Sequence, residues 1–108
     1  MNQERETVVV ALEGEIDLST VPNAERLITE AEAGDPGRLI IDLREVTFMD
    51  SSGLRVLLTA HRRAEDADRG FALVRGGDTV NRLLDVTGLS ERLELLDEPP
   101  AAGSGAAA

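Results

Sequence analysis

The sequence predicts one small α/β domain, a small mixed, mostly parallel β-sheet flanked by about three to four helices. Three observations predict it. Short apolar runs rich in β-branched residues alternate with segments of helical spacing. Glycine- and proline-rich turns separate them. The 108 residues leave room for a single core, for which a hydrophobic content of 42% suffices. Phe48 and Phe71 are the only aromatics, so aliphatic packing must dominate.

Thr7 to Leu12 (TVVVAL) reads as a strand, which Glu13-Gly14-Glu15-Ile16-Asp17 continues or closes. Ser19 and Thr20 offer helix caps, and Pro22 suits a first helical turn. Val21, Ala24, Leu27, Ile28 and Ala31 recur at helical spacing, predicting an amphipathic helix over about residues 20–33. Gly34-Asp35-Pro36-Gly37 stops it. Leu39-Ile40-Ile41-Asp42-Leu43 has the near-continuous apolar run of a strand covered on both faces, and Val46 and Phe48 extend the burial. Leu54, Leu57, Leu58, His61 and Ala64 mark a second helix, ended by Gly70. Phe71 to Val74 is a short strand. Arg75-Gly76-Gly77-Asp78 turns into a third helix carrying Val80, Leu83 and Leu84. Gly88 suits a helix C-terminus, and Leu93 and Leu95 alternate as a last strand. The domain thus covers residues 1–97. Residues 98–108, rich in Pro, Ala and Gly, have the composition of a disordered tail.

Eleven Lys and Arg against 21 Asp and Glu give a formal charge of −10. Such a surface repels phosphate backbones and anionic membranes, so no nucleic acid and no membrane is expected among the partners. A partner with a basic surface is favoured. The absence of cysteine excludes disulfides, thiolate chemistry and cysteine-ligated metal. The polar start Met1 to Glu6 has no signal-peptide core, and no run approaches the roughly 20 apolar residues of a membrane span. A cytoplasmic protein is expected.

In sheets of this kind functional groups collect beyond the carboxyl ends of strands. Three loops qualify and should share one edge: Asp17-Leu18-Ser19-Thr20, Met49-Asp50-Ser51-Ser52 and Gly76-Gly77-Asp78-Thr79. Asp50, Ser51 and Ser52 are residue types that cap helices. Capping does not exclude a second use. A serine at a helix start sits where N–H groups gather and the macrodipole favours negative charge, which suits a phosphoacceptor. Asp17, Asp50 and Asp78 each precede a helix and read as separate caps rather than a magnesium cluster. No cofactor site is expected, since Gly76-Gly77-Asp78 lacks the Lys and Ser/Thr of a phosphate loop. His61, the only histidine, lies on an apolar stripe and reads as a packing residue. About 15 Å of helix separates it from Ser51, too far for a catalytic dyad. Hydrolase chemistry has no credible residues, and a regulatory protein rather than an enzyme is expected.

Gly14-Glu15-Ile16-Asp17, Leu39 to Leu43 with Val46, Phe48-Met49-Asp50-Ser51-Ser52-Gly53-Leu54, and Val80 to Leu84 with Gly88-Leu89, in this order and at these spacings, resemble a STAS domain of the bacterial anti-sigma factor antagonist type. The resemblance runs from about Thr7 to Leu96. It implies a STAS fold, with a short opening strand at Asn2 to Glu6, and a partner switch. The unphosphorylated antagonist binds an anti-sigma factor that is also a serine kinase, and the sigma factor is released. The kinase then phosphorylates the first serine of the pair, here Ser51, and a serine phosphatase resets it. By the same resemblance Asp17 and the residues after it form a loop beside the acceptor. Asp17, Ser19, Asp50, Ser52, Gly53 and Leu54 should lie in or beside the partner surface, Gly53 because a side chain would block close approach or because it eases the turn. A monomer or weak homodimer is expected. The alternatives are a STAS scaffold subunit of a sensory or transport-associated complex, and a nucleotide-binding STAS domain.

Overall fold

The structure is a computed structural model and describes residues 6–100. Residues 1–5, with most of the implied opening strand, and 101–108 of the tail lie outside the described residues. The elements are β1 (Thr7–Ile16), α1 (Val21–Glu32), β2 (Arg38–Met49), α2 (Ser51–Asp66), β3 (Gly70–Val74), α3 (Asp78–Val86), α4 (Leu89–Arg92) and β4 (Glu94–Leu96). The strands lie in the order β1-β2-β3-β4, and every pairing among them is parallel. The sheet is therefore parallel throughout the described strands rather than mixed.

Each of β1, β2 and β3 is followed by a helical crossover to its immediate neighbour, always in the same direction. Right-handed crossovers of that kind place the helices on one face. The packing agrees. The main core joins Leu12, Leu39, Ile41, Leu43 and Leu73 of the sheet to residues of all four helices, among them Ile28, Leu57, Val80 and Leu89. The other face carries a small cluster, Val9, Ile40, Ala72 and Val74 with Leu96, which includes no residue of the described helices. Alternation of side chains along each strand divides the two sets.

Two features position the functional end. β3 pairs only with Arg38 to Asp42 of β2, whereas β1 and β2 remain paired as far as Ile16 and Met49. They project beyond the sheet as a two-stranded ribbon. Register shifts between Ala11 and Glu13 and between Gly14 and Glu15 bend it, with Gly14 at φ 75°. The second feature ties α1 to α2 at their distant ends. Arg63 Nε donates to both Glu32 oxygens at 3.0 Å, and Arg69, its side chain largely covered, donates to the Pro36 carbonyl at 3.2 Å.

Several expectations need correction. α2 ends at Asp66, with Asp68 at φ 57°, so Gly70 opens β3 rather than closing the helix. Gly88 does terminate α3, in the left-handed conformation at φ 83°, but the single turn α4 then follows. Val46 is buried, whereas Phe48 is 44% exposed and does not extend the core. Thr20 precedes α1 without capping it through its side chain.

Candidate functional site

Ser51 is the first residue of α2 and is exposed. β2 ends at Met49, which is buried beneath the helix start. Asp50, still extended, stands between β2 and α2, and its Oδ1 accepts the Ser52 N–H at 2.8 Å while its carbonyl accepts the Leu54 N–H at 3.1 Å. This is an N-cap built from the residue before Ser51. Ser52 is half-buried, its amide held by the cap.

The Asp17 to Thr20 loop stands beside this helix start because the sheet register puts it there. Ile16 is the partner of Met49, and the Asp50 N–H donates to the Ile16 carbonyl at 3.2 Å. The loop is saturated with its own bonds. Asp17 Oδ1 accepts the Ser19 hydroxyl at 2.8 Å, the Ser19 N–H at 3.0 Å and the Thr20 N–H at 3.2 Å. Thr20 Oγ1 accepts the Asp17 N–H at 2.8 Å and donates to the Glu15 carbonyl at 2.8 Å. The Ser19 hydroxyl, with help from both amides, holds the Asp17 carboxyl below its ordinary value of 3.8. Asp17 therefore fastens the loop rather than capping α1.

Gly53 and Leu54 are both buried. A Cβ at Gly53 would strike the Met49 side chain and come within 3.0 Å of Ile16 Cγ2. The close approach that requires glycine is thus internal, where α2 crosses the ends of β1 and β2. Gly53 and Leu54 lie beneath the surface that Asp17, Ser19, Asp50 and Ser51 present.

The third loop does not join the site. A Cβ at Gly76 would meet the Leu43 carbonyl oxygen at 2.6 Å, and Asn81 bonds both the N–H and the carbonyl of Gly76. The loop is thereby pinned beside Leu43, about 20 Å of strand before Met49 at about 3.3 Å per residue. Asp78 starts α3 there, behind the cap residue Gly77. Asp17, Asp50 and Asp78 do not gather, and among the described residues no three His, Cys, Asp or Glu side chains form a metal-binding group. A groove of about 470 Å³ runs beside β1 and α1 over Leu12, Ile16 and Leu27, but Glu13 and Glu15 line it and oppose a nucleotide's phosphates. His61 packs against Phe71 with ring centroids 5.4 Å apart, as its place on the apolar stripe predicts.

Two residues of this end escaped sequence reasoning. Leu18, at the tip of the loop, is 79% exposed, and Phe48 lies one residue before Met49 on the solvent side. Hydropathy assigns Phe48 to the core, whereas Leu18 falls in a loop expected at this edge and its exposure emerges only from the fold. Among the described residues no helix is long and apolar enough to cross a membrane.

The chain shares this architecture with proteins of known class. The STAS domain profile matches residues 1–100. The anti-sigma-B factor antagonist of Listeria monocytogenes is 33% identical over 95 residues, covering 86% of this chain and 83% of that protein. An anti-sigma factor antagonist from Mycobacterium paratuberculosis superposes with a TM-score of 0.79 at 33% identity, covering 86% of this chain and 79% of that one. SpoIIAA, an anti-sigma factor antagonist, is 29% identical, with a TM-score of 0.71 for its unphosphorylated form (87% of this chain, 83% of that one). The phosphorylated form, described as a Bacillus cell fate determinant, gives 0.65 (87% and 86%). The chain belongs to the STAS domain family and stands, within it, with the anti-sigma factor antagonists.

Proposed function

We propose that this protein is a cytoplasmic anti-sigma factor antagonist switched by phosphorylation of Ser51. The unphosphorylated form binds a serine-kinase anti-sigma factor through the surface around Asp17, Ser19, Asp50 and Ser52, and the sigma factor is released. The kinase transfers a phosphoryl group to Ser51 and the complex parts; a serine phosphatase restores the binding form. The protein acts by binding and carries no catalytic residue of its own.

The observation that carries this reading is the exposed Ser51 at a capped helix start, beside a loop held rigid by Asp17. The existence of SpoIIAA in both an unphosphorylated and a phosphorylated form supports it by analogy. The local electrostatics explain why the modification would repel. The Ser52 N–H that an anion at this terminus would seek is already taken by Asp50. A phosphoryl group carries about −1.5 to −2 charges. Placed on Ser51, it stands next to a carboxylate and points outward into the contact surface. Its charge is added to the interface rather than absorbed by the helix.

Incubation with source-cell lysate and ATP, followed by phosphosite mapping beside Ser51→Ala, tests the reading. Phosphate on Ser51 of the wild type is expected. With the purified kinase, Ser51→Ala should bind continuously and Ser51→Asp at least tenfold more weakly. Equal affinity of the two variants would remove the switch.

A further inference from the structure

Only three large apolar side chains stand exposed among the described residues: Leu18, Phe48 and Val86. Val86 is at the end of α3, whereas the other two share the projecting end of β1 and β2. Leu18 and Ser51 each lie two residues beyond a register-paired strand end, Ile16 and Met49. An isolated exposed leucine is ordinary on a protein surface. This one differs in being mounted on a loop whose Asp17 carboxylate accepts three hydrogen bonds and whose Thr20 hydroxyl closes the turn onto Glu15. A side chain displayed on a preformed loop loses little freedom on binding, which is the character of an anchor. The surroundings specify what it would enter. Residues 11–20 and 43–55 contain Glu13, Glu15, Asp17, Glu45 and Asp50 against two cations, Arg44, which is turned back onto Asp42 at 3.0 Å, and Arg55, exposed on α2 one turn beyond Ser51.

Resting on the phosphorylation-switch reading, we infer that Leu18 is the apolar anchor of the partner surface. It would insert into an apolar depression edged by arginine or lysine on the anti-sigma factor. The acidic ring supplies attraction at a distance, and Leu18 supplies residence once contact is made. A phosphoryl group on Ser51 would then act on a seated anchor beside it.

The test uses the full chain and, one at a time, purified serine-kinase anti-sigma factors of the source organism, immobilised with ADP so that no phosphoryl transfer occurs. Association and dissociation rates are measured for wild type, Leu18→Ser and Leu18→Met, with thermal unfolding of each variant alone. The expected result is at least a tenfold faster dissociation for Leu18→Ser, an association rate within about twofold of wild type, near-complete rescue by Leu18→Met, and unchanged unfolding. Wild-type and Leu18→Ser complexes of equal lifetime would overturn the anchor and leave the switch reading standing. Binding of the wild type to none of the kinases would remove that reading and the anchor with it. A lower unfolding temperature for Leu18→Ser, without rescue by methionine, would make the residue structural. Self-association lost in Leu18→Ser would assign the surface to a second copy instead.

Discussion

Gly53 shows how one residue can look functional for the wrong reason. It follows the serine pair, so a role in contact with a partner is the natural expectation, yet its missing side chain is required inside the molecule. Alanine there would gain about 1 kcal/mol of helix propensity. It would also overpack the site against Met49 and Ile16, at about 1–3 kcal/mol. A net loss of about 1 kcal/mol is expected for Gly53→Ala, read as a lower urea midpoint with unchanged slope. A midpoint at or above wild type would mean that Met49 swings aside freely. Asp50 makes the complementary point. Its capping role was legible from residue type alone, because a carboxylate ahead of a helix has few better uses. Asp17 was not legible in the same way: three residues separate it from the helix, and its bonds to Ser19 and Thr20 emerge only once the turn is formed.

At the scale of elements, the strand and helix alternation could be read because each helix keeps one apolar stripe. The lengths of β1 and β2 could not. Glu13-Gly14-Glu15 and Arg44-Glu45 are charged and resemble loop, although they lie on the projecting ribbon where only one neighbour is needed. α4 was missed because four residues are too few to show a period. Gly70 misled because a glycine near a helix end is usually a cap, whereas Asp68 takes the left-handed position here. The α1–α2 tie carries a prediction of its own. Glu32 is the acceptor for Arg63 and lies 4.0 Å from Arg69, whose side chain is only 7% exposed. Glu32→Ala removes one of the two carboxylates near that guanidinium and leaves the exposed Asp35 at 3.7 Å as the other. A loss of about 2 kcal/mol in unfolding free energy is expected, less than the about 3–5 kcal/mol of a fully buried broken pair because Arg63 reaches solvent. Since the tie is at the opposite end of α2 from Ser51, phosphorylation of Ser51 in Glu32→Ala should proceed at the wild-type rate under folded conditions.

For the whole molecule, the charge of −10 and the acidic end of the ribbon should steer a basic partner. The association rate with the kinase should fall by about tenfold or more between 50 and 500 mM salt, while the dissociation rate changes little. A salt-insensitive association rate would show that the overall charge serves solubility alone.

The early stop of β3 has an evolutionary consequence. Because β3 ends opposite Asp42 while β1 and β2 run on to Ile16 and Met49, the loops beyond those two strand ends, which carry Leu18 and Ser51, lie past the limit of the four-stranded sheet. A genome that duplicates such a chain can retune the copy by altering a few tip positions, Leu18 first among them, without renegotiating the layers that make it fold. Insulation between parallel signalling circuits then becomes a local problem, and crosstalk can be bred out one side chain at a time.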